Sequence, residues 1–246
     1  MKILLCLSKT PDTTAKIRFT GDGKELDTSN MQFVINPNDD HALAHAVELK
    51  NKNNGEITIV HVGDSSSDSV IRKGLAIGAD KAIRIDAHPN DALFVARQIA
   101  EIYKNGEYDF IMTGCESIDY NGAQVSSLLG ELLQIPAFNY VTAFAPDGTS
   151  SAEISRDIDG GEENIKSPLP AVIGATKELA EEKIPNMRGI MMAKKKPLEV
   201  QEPAEASKTT ETIKFEPPKE KGDCQYIDPE NAEELIEKLQ KEAKVL

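Results

Sequence analysis

The chain has 246 residues, of which 39% are hydrophobic, and its 41 acidic residues outnumber the 28 basic ones to give a formal net charge of -13. This length and hydrophobic content allow a buried core, whereas the acidic balance disfavours binding to nucleic acid, because phosphate contacts need clustered Lys and Arg. The longest apolar runs are far below the roughly 20 residues that span a bilayer, so we expect no stable membrane insertion.

Five apolar, β-rich runs alternate with helical patterns along the first three quarters of the chain. The runs cover residues 3–8, 57–62, 82–85, 110–113 and 171–175. The first helix is predicted to begin after Asn36-Pro37-Asn38-Asp39-Asp40, a segment that offers Asx caps and early acidic charge. Further helices are predicted at about 68–77 with Gly78 as the terminating residue, at about 91–104 and at about 123–133. This alternation is typical of an α/β fold with a doubly wound, mainly parallel sheet flanked by helices, a Rossmann-like architecture.

The last hundred residues show three further patterns. Residues 139–166 alternate polar and apolar positions, with turns at Pro146-Asp147-Gly148 and Asp159-Gly160-Gly161, which predicts an antiparallel hairpin excursion. Residues 200–226 are too poor in apolar side chains to fold alone, so we predict an extended strap. Residues 229–246 read as an amphipathic helix, which either folds back onto its own domain or embraces a partner. The predicted domains are therefore 1–199 and 200–246.

Cysteine and histidine spacing gives no sign of a metal site. Cys6, Cys115 and Cys224 are scattered and form no CxxC motif. This pattern predicts neither a disulfide framework nor structural zinc, and it favours a reducing, cytoplasmic compartment. His41 and His45 are spaced i,i+4 as a chelating pair would be, but no Glu or Cys motif surrounds them. We therefore predict no metal.

Ligands of doubly wound sheets bind beyond the carboxyl ends of the strands, where the strand order reverses. The corresponding loops here are residues 8–13, Asn36, residues 62–64 and residues 114–125. The last loop leads into a predicted helix whose N–H groups could bind a phosphate. Neither a Walker A sequence nor GxGxxG is present, so this would be an adenine-nucleotide site of another kind. The alternative is that these loops bind no ligand and are polar only because the connecting loops of such a sheet lie at the surface.

An ordered set of residues between 154 and 199 is more specific than any of these patterns. It consists of Arg156, Asp159-Gly160-Gly161, Glu163, Pro170-Ala171-Val172-Ile173 and Ala193-Lys194-Lys195-Lys196. In this spacing the set resembles the signature of the electron transfer flavoprotein beta subunit. The similarity covers about residues 1–199 and continues into the terminal helix. One departure is Gly174, where the family usually has Thr, Ala or Cys.

The resemblance implies an electron-carrier subunit, not an enzyme, and no nucleophile–base motif or other catalytic residue is evident. Such a subunit pairs with an alpha subunit that holds most of the redox FAD, and it binds an adenine nucleotide structurally. Carried over by position, the cofactor-binding residues would be Cys6, Ser8, Thr13, Asn36, Val62, Gly63, Asp119, Gly122, Ala123, Gln124 and Val125. Thr13 would face the flavin.

The nature of the nucleotide stays open. Ala123-Gln124-Val125 stands where mitochondrial-type members have Asn-Gln-Thr, so an amide and a hydroxyl that could hold an AMP phosphate are missing. This triplet, together with Pro11-Asp12-Thr13, looks more like members that bifurcate electrons and hold a second FAD in the beta subunit. The site would therefore take AMP or a second FAD, and in the second case NADH would reduce that FAD.

Residues 183–192 are apolar and rich in Met, which suits adaptable partner recognition, although core packing is the alternative. The resemblance implies a recognition loop that docks on acyl-CoA dehydrogenases, with Met187 as the anchor and Ile184, Ile190 and Met191 around it. It also implies an acceptor of the electron transfer flavoprotein–quinone oxidoreductase type, a role in fatty acid beta-oxidation, and a C-terminal arm around the alpha subunit. A stand-alone adenine-nucleotide-binding protein, from a different class, would need neither this segment nor the arm.

Overall fold

The computed structural model describes residues 1–89, 91–219, 222 and 224–246. Its strands are β1 (Lys2–Cys6), β2 (Lys9–Pro11), β3 (Phe33–Ile35), β4 (Glu56–Val62), β5 (Lys81–Ile85), β6 (Phe110–Gly114), β7 (Ala137–Asp147), β8 (Ser151–Ile158), β9 (Gly161–Pro168), β10 (Val172–Ala175) and β11 (Leu198–Gln201). Its helices are α1 (Pro37–Asn53), α2 (Asp68–Ile77), α3 (Ala92–Lys104), α4 (Val125–Leu133), α5 (Met187–Ala193) and α6 (Ala232–Lys238). A 3₁₀ turn (Ser65–Ser67) precedes α2, and a π-helical turn (Leu239–Ala243) follows α6.

Nine strands form the main sheet in the order β11-β5-β4-β1-β6-β10-β7-β8-β9. The strand β1 pairs in parallel with β4 on one side and with β6 on the other, so the strand order reverses beside β1. Parallel pairing continues outward through β5 and β11 and, on the other half, through β10 and β7. The predicted doubly wound, mainly parallel sheet is confirmed.

Helices cover both faces of this sheet. In β1 the side chains alternate, with Ile3 and Leu5 in the core beneath α1 and α2, and Leu4 and Cys6 in the core beneath α3 and α4. Because successive side chains of a strand point to opposite faces, a strand covered on both sides needs an uninterrupted apolar run. This is the pattern by which the sequence predicted the central strands.

The end of α2 and the start of α4 differ in detail from the prediction. Gly78 ends α2, but its φ of 167° is extended and not left-handed. A side chain is excluded there by packing, since a Cβ would lie 2.5 Å from Cγ2 of Val47. The helix α4 begins at Val125 instead of about Ala123, because Asn121 and Ala123 both have φ near 48°. A helix of L-residues does not continue through that region.

The antiparallel excursion is confirmed as β7, β8 and β9. Gly148, with φ of 63°, lies in the first turn and Gly160, with φ of 85°, lies in the second, as tight turns require. Arg156 and Glu163 from the signature stand directly opposite each other in β8 and β9. The Arg156 Nε donates to Glu163 Oε2 at 2.7 Å, so this part of the signature is a cross-strand ion pair.

The C-terminal part is more extended than the helix pattern alone suggested. The strand β11 pairs with β5 and therefore runs across the predicted boundary at residue 199. The helix α6 is shorter than the predicted 229–246, and none of its residues is buried; Leu235 is 45% exposed and Ile236 is 48% exposed. Folding back onto its own domain, one of the two alternatives, would have buried them. Across the described part of the chain, no helix combines the length and apolarity needed to cross a bilayer.

Candidate functional site

The carboxyl ends of β1, β4 and β6 meet at the point where the strand order reverses. Cys6 is in register with Val60, and Leu5 with Met112, so the loops that follow these strands start side by side. The backbone N–H of Asn36 donates to the carbonyl of Ser8 at 3.0 Å, which places the start of α1 at the same edge. The structure therefore brings together a group of the predicted site residues, namely Cys6, Ser8, Asn36, Val62 and Gly63.

Asn36 bridges two loops and does not cap α1 with its side chain. Its Nδ2 donates to the carbonyl of Glu116 at 2.9 Å, and its Oδ1 accepts from the N–H of Ile118 at 3.2 Å. No side-chain cap is formed, and the N–H groups of Asp39 and Asp40 bond to the Asn36 carbonyl instead. The predicted Asx cap is wrong, because the loop after β6 takes the amide. This buried side chain thereby orders that loop.

Asp39 is a residue that the sequence-based prediction missed. It is 4% exposed, its Oδ2 accepts from the backbone N–H and the hydroxyl of Ser8, and its Oδ1 accepts from the N–H of Gly114 at 2.8 Å. Burial raises the pKa of Asp39 to about 6, against the opposing effect of these hydrogen bonds. Gly114 has no room for a side chain, since a Cβ would lie 2.6 Å from Asp39 Oδ1. One carboxyl group thus joins the end of β1 to the end of β6.

His61 lies beneath the loop that follows β4. It is 4% exposed, and its Nδ1 donates to the carbonyl of Leu7 at 2.7 Å, because a carbonyl can only accept. Burial lowers the pKa of His61 to about 4, so the ring is neutral at pH 7. Its Nε2 and the hydroxyl of Ser67 have no hydrogen-bond partner among the described residues. Both atoms approach Gly63, where a Cβ would lie 2.3 Å from Nε2 and 2.8 Å from Ser67 Oγ.

The start of α4 offers polar groups without protein partners. Gln124 occupies the N-cap position but makes no side-chain cap, so it leaves the N–H groups of the first turn unsatisfied. Ser126 is 2% exposed, and its hydroxyl has no partner in the part of the chain that is described. Asp119, Gly122 and Gln124 are exposed in the segment that precedes α4. A helix N-terminus of this kind, with an orphan hydroxyl, fits a phosphate group.

Thr13 lies in the loop between β2 and β3, apart from the residues at the strand ends. It is exposed, in a turn where the carboxylate of Asp12 accepts from the N–H of Thr14 at 2.8 Å. The Asp12 N–H donates to the carbonyl of Gln32, so the loop between β2 and β3 closes on itself here. The Thr13 side chain is thus presented to the outside of this chain, as contact with a partner's cofactor would require.

The predicted recognition loop is in part a helix. Asn186 caps α5 by accepting from the N–H of Gly189 at 2.8 Å, and Gly189 fits closely on α2, since a Cβ would lie 2.4 Å from the carbonyl of Ala76. Arg72 holds the other end by donating to the carbonyls of Ala193 and Lys196. The four predicted contact residues point outward, with Ile184 92% exposed, Met187 74%, Ile190 42% and Met191 69%. Core packing does not account for them.

The two helical histidines serve different contacts. His41 Nδ1 lies 2.8 Å from the carbonyl of Ala180, and His45 Nε2 lies 2.8 Å from the carbonyl of Phe144. Each ring is thereby committed to a separate backbone group instead of a shared ion. Over residues 1–89, 91–219, 222 and 224–246, no three His, Cys, Asp or Glu side chains are grouped as a metal ion would need.

Comparison with known proteins agrees with this architecture. A family model described as the electron transfer flavoprotein domain matches residues 25–206. The chain is 36% identical over 261 residues to the electron transfer flavoprotein subunit beta of Bacillus subtilis (strain 168), with all of both chains covered. It is 31% identical over 250 residues to the protein of that name from Dictyostelium discoideum, with 99% of this chain and 98% of the relative covered. For the one from Homo sapiens the identity is 29% over 250 residues, with 97% and 96% covered. From these matches, the chain belongs to the family of electron transfer flavoprotein beta subunits.

Proposed function

We propose that the chain is the beta subunit of a heterodimeric electron transfer flavoprotein, which carries electrons from acyl-CoA dehydrogenases or similar donors to a quinone reductase or another acceptor. The observation that carries this proposal is the end-to-end match to beta subunits. The reversal of strand order beside β1, with orphan polar atoms at the adjoining strand ends, supports a nucleotide site in this subunit.

The residues of this chain bind and orient; they do not react. The nucleoside would lie against Cys6, Asn36, Val62 and Gly63, where the hydrogen bonds of Asp39 and Asn36 fix the ends of β1 and β6 and the loop after β6 relative to one another. Its phosphate would lie at the start of α4, by the loop from Asp119 through Gly122, Ala123 and Gln124 to Val125. The redox FAD, held mainly by the alpha subunit with Thr13 against its ring, supplies the electron-transfer chemistry when bound.

The adenine-nucleotide site takes AMP or a second FAD. Val125 has no hydroxyl, but Ser126 places one in the next position, where it is buried and has no partner among the described residues. This hydroxyl favours a phosphate ligand in either case. A second FAD would make the complex a bifurcating one that NADH reduces, which is the second candidate function.

Two surfaces would contact partners. We assign the exposed side chains of Ile184, Met187, Ile190 and Met191 to the electron donor, because an apolar, Met-rich surface adapts to varied pockets. We assign the predicted unit 200–246 to the alpha subunit by way of α6, while its first residues, in β11, stay paired with β5 of this chain. The apolar side of α6 remains uncovered by this chain, as a partner-embracing arm requires.

The test is co-expression with the alpha subunit, followed by denaturing release and quantification of the bound nucleotides. One FAD and one AMP per heterodimer would support the simple carrier, and two FAD without AMP would support bifurcation. Failure to form a flavin-bearing heterodimer would overturn the proposal. A stable monomer that binds ATP with Mg²⁺ would favour the stand-alone nucleotide-binding protein instead.

The donor surface has its own test. In the assembled heterodimer, Met187→Ala should slow electron uptake from the donor dehydrogenase while the flavin content stays unchanged. Met192→Ala is the matched control, since Met192 is 51% exposed on the same helix but lies off the face shared by Met187, Ile190 and Met191. Equal effects of both variants would contradict the assignment.

A further inference from the structure

The first half of the strap is fastened to its own domain by Gln98, a buried side chain of α3, and by Asp91, the N-cap residue of that helix. Gln98, which is 1% exposed, donates through Nε2 to the carbonyl of Ala204 at 2.9 Å and accepts through Oε1 from the Ala204 N–H at 2.8 Å. Its amide therefore pairs with the strap as a neighbouring strand would. Asp91 accepts from the N–H groups of Thr209 at 2.8 Å and Thr210 at 3.3 Å. The strap is thus guided along α3.

Beyond α3 the strap reaches a hairpin in the loop between β2 and β3. The ring of Phe215 stacks on Phe19 with centroids 5.1 Å apart and planes inclined by 7°. The Phe215 N–H donates to the carbonyl of Gly23 at 2.7 Å. Gly23 is at the hairpin turn with φ of 69°, and a Cβ there would lie 3.3 Å from the Phe215 carbonyl. The bridge between Phe19 and Leu26 closes the hairpin.

Apart from these contacts with the strap, few interactions fix the position of the hairpin. No residue from 12 to 32 is buried, and a loop with few buried contacts opens readily. The aromatic stack and the Gly23 hydrogen bond are therefore substantial constraints on its position. Thr13 and Asp12 lie in this same loop, and Asp12 is hydrogen-bonded to Gln32 at its far end.

We infer that Phe215 and Phe19 form a clasp, through which the strap holds the loop between β2 and β3 and sets the position of Thr13 against the FAD of the alpha subunit. Phe215 is a positioning residue that touches no cofactor itself. The clasp rests on the contacts within this chain, whereas its effect on FAD rests on the proposed function.

The experiment compares Phe215→Ala with Ile213→Ala in the full chain and in the heterodimer. Ile213 is the matched control, since it is 84% exposed and lies two residues earlier on the strap. Amide hydrogen exchange in residues 18–27 should accelerate about two- to twelve-fold in Phe215→Ala, the range expected for loss of one aromatic pair. Exchange should be unchanged in Ile213→Ala and restored in Phe215→Tyr. Unchanged exchange in Phe215→Ala would overturn the clasp.

A second readout separates the clasp from the flavin role. In a flavin-bearing heterodimer, Phe215→Ala should shift the flavin reduction potential while the flavin content stays the same, and Phe215→Tyr should restore it. A potential that stays constant while exchange accelerates would overturn the positioning role and leave the clasp in place. If the wild-type heterodimer binds no flavin, the proposed function fails, and exchange in the full chain still decides whether the clasp exists.

Discussion

Gly174 is a residue at which we expect a sharp response to a single methyl group. It lies in β10 beneath the side chain of Asn139 from β7, whose Nδ2 donates to the Cys115 carbonyl at 3.0 Å. A Cβ at Gly174 would lie 2.0 Å from Asn139 Oδ1 and 3.3 Å from Asn139 Cα. In Gly174→Ala, the amide must therefore leave its place and give up the bond to the loop after β6.

The magnitude follows from three opposing effects. Overpacking a close-fitted site costs about 1–3 kcal/mol. Loss of the Asn139 hydrogen bond adds about 1 kcal/mol. Ala loses less conformational freedom than Gly when the strand folds, which stabilises the folded variant by about 0.5–1 kcal/mol. We expect Gly174→Ala to lower the free energy of unfolding by about 1–3.5 kcal/mol, with the steric effect dominant.

The assay is urea unfolding of the full chain in a double-mutant cycle with Asn139→Ala. With the amide removed, Gly174→Ala should become neutral or stabilising, which gives a coupling free energy of about 2 kcal/mol. Gly161→Ala is the control, because no atom lies within 4 Å of a Cβ built there. If the two substitutions are additive to within about 0.5 kcal/mol, the steric account is wrong.

Stability should depend on pH with opposite signs for Asp39 and His61, and the contacts of Arg72 with the end of α5 should be measurable as well. Burial raises the pKa of Asp39 to about 6. The wild type should therefore lose stability relative to Asp39→Asn, by about 2 kcal/mol, as pH rises from 4 to 6. Burial lowers the pKa of His61 to about 4. The wild type should therefore gain stability relative to His61→Gln as pH rises from 4 to 6.5, and urea unfolding across this range would expose a wrong sign in either case. Arg72→Lys should accelerate amide exchange in α5, because the lysine side chain is one bond shorter and ends short of the point from which Nη1 of Arg72 donates to the carbonyls of both Ala193 and Lys196; unchanged exchange would show that α5 is held otherwise.

The fold was predictable because its signals are local. The central strands read as continuous apolar runs because both of their faces are covered, and Gly148 and Gly160 marked turns because tight turns favour positive φ. The candidate edge of the sheet was predictable as well, since ligand sites of doubly wound sheets follow from topology. The signature around Arg156 indicated the family for a different reason, namely its ordered spacing.

The hydrogen-bond partners of the site were not predictable in the same way. Acidic residues in the first turn of α1 suit the helix dipole, and this reason holds for any helix. In the structure, however, the carboxyl group of Asp39 accepts hydrogen bonds from Ser8 and Gly114. A polar side chain takes whichever donor or acceptor tertiary packing places within reach. The sequence also could not show that the Asn36 side chain would bond to Ile118 instead of capping α1, because Ile118 is 82 positions away along the chain.

The sequence by itself determined the central strands, the helices α1 to α4, the turns of the antiparallel excursion and the family, because periodicity, turn chemistry and motif spacing are properties of neighbouring residues. Only the tertiary structure decided three other features. Asn36 bonds to the loop after β6 instead of capping α1, Met187 is the first residue of a short helix, and Gln98 bonds to the strap 106 positions later. Each of these outcomes depends on which distant groups meet. The packing of the whole chain sets which groups meet, since a buried polar group needs a hydrogen-bond partner within the folded protein.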